Sequence, residues 1–286
     1  MWRTLSLLFI LPVLLLSCNG GSYIPCDTDT YHFADTSQFV SFDMNIELPA
    51  DSDGIYADIR SSIIEKLIGQ MSSLGSYEEP HVIRPYDGDP DDILALLSHY
   101  GSHEFNFLEE LAIDDDEERS KYSDFHPAWD CSFSVSLISE SRSYVVFDSR
   151  SYLYMGGAHG GVTGAGQLTY SKTDGRLLES FLLPDCVEPL QPALKEGLLS
   201  YFAEDGYETA DDMMGFLFLG EDSIITLPAW APYPTSDGLV FTYQQYEIAP
   251  YAAGMPSFTV PYTKLKKYMT DEARRLCRWR KFSKNM

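Results

Sequence analysis

The sequence contains no CxxC pair, no HExxH, no GxSxG and no GxxxxGK[ST]. Without paired CxxC thiols there is no zinc knuckle or thioredoxin-like centre. Without HExxH or GxSxG there is neither a zincin helix nor a serine elbow. No glycine loop opens a helix, so the usual phosphate cradle is missing too. Basic residues are scarce and badly spread. From Cys18 to Tyr262 there are 41 acids against ten bases, and between Arg84 and Arg119 no base faces twelve acids. A body of that charge repels nucleic acid and anionic lipid and attracts cationic partners. Beyond the first 17 residues no run is long and apolar enough to span a bilayer as a helix.

What is present begins with Arg3 and the apolar stretch Leu7–Leu16, too short for a permanent span and suited to a signal peptide of residues 1–17. It ends in Leu15-Leu16-Ser17-Cys18, the lipoprotein cleavage pattern. The expectation is cleavage before Cys18 and acylation of its thiol, with palmitate-like chains anchoring the mature protein to a membrane. Residue 19 is Asn rather than Asp, which points away from inner-membrane retention and towards the outer membrane, periplasmic or surface-facing. Four further cysteines, Cys26, Cys131, Cys186 and Cys277, allow two disulfides with three pairings in an oxidising compartment.

Hydrophobic periodicity predicts an α+β fold. Residues 18–37 read as a polar, lipidated tether. Val40, Phe42, Met44, Ile46 and Leu48 alternate with polar residues as a half-buried strand, and Ile55, Ile59, Ile63, Leu67 and Met71 repeat every four as an amphipathic helix. Asp89-Pro90 reads as the start of a second helix, interrupted at Gly101 and ending in the acidic run Asp114–Glu118. From Trp129 the period changes to strands: Trp129–Leu137, Tyr144–Phe147, Tyr152–Met155, then Gly166–Ser171 and Arg176–Leu182 about the turn Thr173-Asp174-Gly175. Leu190–Phe202 reads as a helix, Leu239–Ile248 and Ser257–Val260 as strands, and Lys264–Lys281 as a basic terminal helix. A mainly antiparallel sheet with helices on one face follows, in two parts: a smaller N-terminal domain over 38–125 with an acidic helical insert, and a domain over 126–286.

Two chemical constellations stand out. Gly156-Gly157-Ala158-His159-Gly160-Gly161 is followed by strand rather than helix, so it reads as a tight glycine crossing in which His159 bonds local backbone; a general-base role for His159 in a wall-modifying hydrolase is the alternative. His99 and His103 lie four apart beside Glu104, but Gly101 between them weakens a shared helix face. We therefore assign no metal, no cofactor and no catalytic residue.

The glycine segment, with Asp237-Gly238-Leu239-Val240-Phe241, Tyr243-Gln244-Gln245-Tyr246-Glu247-Ile248-Ala249-Pro250-Tyr251-Ala252-Ala253-Gly254 and Val260-Pro261-Tyr262, resembles the extracellular domain of the RsiV-type anti-sigma factors. A similar domain accompanies some peptidoglycan deacetylase domains and occurs in lipoproteins of unknown function. The resemblance covers roughly residues 130 to 265, and the segment from about 39 to 75 is similar to the smaller domain that usually precedes it. It implies an α+β fold and a non-catalytic role, in which Gly156, Gly157, His159, Gly160, Tyr243, Tyr246, Pro250, Tyr251, Gly254, Pro261 and Tyr262 define the fold. In RsiV the domain is a lysozyme receptor, and lysozyme is strongly basic. The cytoplasmic sigma-binding segment, the transmembrane helix and the deacetylase catalytic domain find no counterpart here, so sigma signalling and deacetylation do not carry over. The expectation is an envelope lipoprotein whose ectodomain binds a cationic, lysozyme-like protein or a cell-wall component, with a purely structural envelope role as a further alternative.

Overall fold

A computed structural model of the chain describes residues 25–51, 53–73, 83–121, 127–156, 160–203, 206–207, 209–220 and 222–277. Cys18, Gly157, His159, the leader and the end of the basic tail from Arg278 lie outside them.

The fold is α+β, as the periodicity predicts. Five strands form one sheet in the order β1 (Thr28–Thr36), β2 (Val40–Pro49), β3 (Trp129–Glu140), β4 (Tyr144–Tyr154) and β5 (Val162–Ser171). All neighbours are antiparallel except β2 and β3, which run parallel. A parallel pair needs a long crossover, and the connection here carries α1 (Gly54–Ser73) and α2 (Ile93–Arg119). The expected division after residue 125 falls inside that crossover, so one sheet spans it.

Both helices cover the same face. Ile59, Ile63, Leu67 and Met71 of α1 are buried at four-residue spacing, and Arg60 among them donates to the carbonyls of Pro49 and Ala50, fixing the helix to the end of β2. Beneath lie Phe42, Met44 and Ile46 of β2, Phe133 and Val135 of β3, and Phe147 of β4.

A second layer follows in the chain. Helix α3 (Val187–Phe202) buries Leu190, Leu194, Leu198 and Phe202. Then come α4 (Ala210–Phe216) and a three-stranded antiparallel sheet of β6 (Tyr233–Pro234), β7 (Gly238–Thr242) and β8 (Ser257–Pro261), and finally α5 (Tyr262–Leu265) and α6 (Asp271–Leu276). This unit has its own core, and Tyr144 and Val146 of β4 belong to it. Val145 and Phe147 alternate with them and belong to the first core. Strand β4 is thus buried on both faces at this end, and its side chains join the two layers.

Several expectations are corrected. Thr28–Thr36 is strand β1, not tether; its only large apolar side chains, Tyr31 and Phe33, gave too little contrast for a period of two to show. Helix α2 starts at Ile93, where the Asp92 carboxylate accepts from Ala95 N–H at 3.0 Å, while Asp89 closes the turn before it. Gly101 does not interrupt α2: a Cβ there would lie 2.4 Å from the Phe33 ring, so the glycine lets β1 approach the helix. Tyr144–Tyr154 is one strand rather than two. Arg176–Leu182 is not a hairpin partner of β5 beyond one bridge, Tyr170 to Leu177. It turns instead to the C-terminal segment, where Leu183 N–H donates to Tyr268 O and Thr270 N–H to Phe181 O. That pairing splits the expected terminal helix into α5 and α6, with Thr270 capping the second. Strand β7 ends at Thr242, well short of Ile248.

The four described cysteines are buried free thiols, so the disulfides allowed by their even number are not made. Cys26 and Cys131 share a core but lie near opposite ends of β2: Cys131 pairs with Phe42, whereas Thr28 pairs with Pro49. At about 3.3 Å per residue that is far beyond disulfide reach. Cys186 and Cys277 belong to the second core.

Candidate functional site

Strand β5 is an outer edge of the five-stranded sheet, and its unpaired backbone groups need partners. Two glutamines supply them. The amide oxygen of Gln245 accepts from Thr163 N–H at 2.7 Å, and that of Gln244 from Ala165 N–H at 2.9 Å. The Gln244 amide nitrogen donates back to Ala165 O at 2.9 Å. Side-chain amides thus replace a sixth strand and close the edge.

The turn carrying them is held by Glu247. Its carboxylate accepts from Gln244 N–H at 2.7 Å and from Ala229 N–H at 2.6 Å. Between the glutamines and this glutamate stands Tyr246, with φ of 63° and 53% of its surface exposed. A bulky side chain in the left-handed region costs about 1 kcal/mol or more and persists where its surroundings over-determine it. Its ring centroid lies 5.6 Å from that of Tyr251. The Tyr251 hydroxyl donates to Gly161 O at 2.8 Å, and a Cβ on Gly160 would sit 2.4 Å from that hydroxyl oxygen. The two motifs separated by some eighty residues in sequence therefore meet here, the glycine segment under the tyrosine turn.

The other motif residues frame this junction. Gly156 follows β4 with φ of 77°, beside Pro127. Tyr243 is buried and donates to Thr226 O at 2.7 Å; Tyr262 is buried and donates to Thr235 O at 2.9 Å. Burial pushes both phenols well above their usual range. Pro250 and Gly254 bracket the short helical turn that presents Tyr251, and Gly254 has φ of 68°. Pro261 ends β8 opposite Gly238, where a Cβ would strike Val260 O.

Three further exposed apolar side chains belong to residues that are bonded to this turn or lie next to ones that are. Val162 starts β5, Phe218 donates its N–H to Ile248 O, and Trp230 follows Ala229 and lies over Gly166, whose Cβ would be 2.4 Å from the indole. With Tyr246 they border one loop, whereas Leu94, Ile138 and Leu183, the other large exposed apolar residues described, lie on separate elements. Exposed apolar side chains around one turn are the kind of surface that a partner covers. The sequence named Tyr246 and Tyr251 but missed Gln244, Gln245 and Glu247 as edge caps; the signal was a Gln-Gln break in apolar alternation with Pro250 close behind.

The histidine pair behaves differently. Because α2 is continuous, His99 and His103 do share a face, with rings 5.2 Å apart. His99 Nε2 lies 2.7 Å from Arg84 O. Glu104 is fully buried, and among the described residues no group of three or more His, Cys, Asp or Glu side chains is placed to hold a metal ion. No helix among them is long and apolar enough to cross a membrane.

No curated protein matches the chain. Solved structures do, among them crystal structures of a member of the DUF3298 family from Bacteroides fragilis NCTC 9343, with TM-score 0.62 at 18% identity over 87% of this chain and 95% of that one, and of a DUF3298 family protein from Pseudomonas aeruginosa PAO1, with TM-score 0.58 at 16% identity over 88% and 97%. These likenesses establish the α+β fold. Residues 184–263, from the start of α3 through the tyrosine turn to the end of β8, match the family described as "Protein of unknown function (DUF3298)".

Proposed function

We propose that the chain is an exported envelope lipoprotein whose ectodomain binds a cationic protein, lysozyme-like in charge, through the face around Tyr246, without catalysing a reaction. The observation that carries this reading is Tyr246 itself: an exposed aromatic ring held in a strained backbone by a dedicated carboxylate, with Val162, Phe218 and Trp230 exposed on segments bonded to the same turn. Rigid aromatic anchors of this kind dominate protein interfaces. The balance of −31 from Cys18 to Tyr262 and the resemblance to the RsiV lysozyme receptor support a basic partner. The Leu15-Leu16-Ser17-Cys18 pattern supports the anchor, with β1 starting at Thr28.

Titration of the mature protein with a c-type lysozyme and with an unrelated protein of equal charge, at low and physiological salt, tests the reading. Selective binding that survives salt, and that Tyr246→Gly abolishes without lowering thermal stability, is the expected outcome. Equal binding to both proteins that vanishes as the Debye length shrinks to about 8 Å would reduce it to charge attraction. Intact-mass data on the membrane fraction report separately on acylation of Cys18.

A further inference from the structure

Strand β8 ends its sheet, in the order β6-β7-β8, and one edge of it is unpaired. The register settles which backbone groups lie there. Tyr243 N–H donates to Pro256 O, so Phe258 and Val260 bond towards β7 and the alternate residues point away. The N–H and C=O of Ser257 and Thr259 face outward, and neither has a backbone hydrogen-bond partner among the described residues, while Pro261 caps the start of α5. Helix α3 packs alongside β8, yet a groove of about 300 Å³ remains between them. Its helix wall is low, built of Ala193, Gly197 and Ser200, and its floor is Phe258, to which Gly197 comes so close that a Cβ would lie 2.0 Å from the ring. At the rim Glu196 pairs with Lys264 at 2.6 Å, both largely exposed.

We propose that this groove binds an extended basic polypeptide segment, which adds to β8 as a fourth strand. The outward backbone groups select the class of ligand, because only another extended main chain offers donors and acceptors at their alternating spacing. The small residues of α3 leave room for its side chains. The charge follows from the body: net −23 overall, with Glu196 at the rim able to exchange its exposed lysine for one on the ligand. None of the groove's lining residues is one of the exposed residues around Tyr246, so different variants test the two sites.

The probe is a labelled peptide of about eight residues alternating Lys with Thr, titrated into the purified protein by fluorescence anisotropy alongside a Glu-for-Lys version and one N-methylated at every second residue. The expected result is binding of the Lys peptide with slowed amide exchange at Ser257 and Thr259, and affinity lower by about threefold to tenfold for each hydrogen bond that N-methylation blocks. Thr259→Pro removes an outward N–H and leaves the β7 ladder intact, so it should fold and lose binding. Ser200→Trp, on the exposed side of α3, fills the groove by a second route and should also lose it. Unchanged affinity in both folded variants, or equal binding of the N-methylated peptide, would overturn the proposal. So would a concentration-dependent dimer that Thr259→Pro dissolves while the peptide fails to bind, since β8 would then serve a second copy.

Discussion

Tyr246 holds a phenol ring outward from a backbone conformation that glycine adopts more readily, and the Glu247 carboxylate keeps it there. The sequence showed a Tyr in a motif; that it is strained and exposed depended on a turn stabilised by Ala229, seventeen residues upstream. Glu104 presents the converse case. It follows His103 in α2, yet it is fully buried, near enough to Cys131 for its charge to raise that thiol. Burial raises its carboxyl to about 8. The folded state thus holds a proton that the unfolded chain releases near the ordinary carboxylate value, so this group's contribution is fully present below about pH 4.5 and is lost as pH rises towards 8. Denaturant unfolding of wild type and Glu104→Gln across that window should show the variant gaining a relative advantage that grows to a few kcal/mol by pH 8. A constant difference between the two would mean that the carboxylate is solvated.

Among the elements, the edge of β5 is the clearest case of closure by side chains. Gln244→Ala leaves the N–H and C=O of Ala165 unpaired where Ala165 is buried, which should cost about 1–3 kcal/mol in chemical denaturation. Gln245→Ala removes a single acceptor and should cost less; the opposite ranking would show that the edge is held by something other than these amides. Elements with strong contrast were legible from sequence alone. Strand β2, helix α1, helix α3 and strand β8 all carry apolar residues at one clean period. Legibility failed where partners were distant. Strand β1 carries only Tyr31 and Phe33 on its inner face and is recruited by β2, Arg176–Leu182 lost its local hairpin to the segment before α6, and β7 stopped where Gln244 left the strand for the edge of β5. The meeting of the glycine segment with the tyrosine turn was likewise invisible, because it is made by the Tyr251 hydroxyl and a backbone carbonyl some ninety residues away, which no spacing encodes.

For the molecule as a whole, β4 sets the cooperativity. Its residues 144 to 147 feed two cores alternately, so neither layer keeps its packing when the other opens. A single calorimetric transition is expected, and Val146→Ala should lower it as a unit, by roughly 1–3 kcal/mol. Two resolved transitions, with only the second shifted by Val146→Ala, would show the layers to be independent.

The buried free thiols give the fold a temporal asymmetry. Burial raises Cys26 and Cys277 to about 11, leaving on the order of one molecule in ten thousand as reactive thiolate at neutral pH, and Cys131 is held higher still. Once folded, these thiols react slowly with oxidants. The unfolded chain has ordinary cysteines in whatever redox environment it meets, and any cross-link formed there between Cys26 and Cys131 ties together residues that the native sheet holds far apart. In an oxidising compartment, folding must therefore outrun oxidation the first time, and each later unfolding event risks becoming permanent.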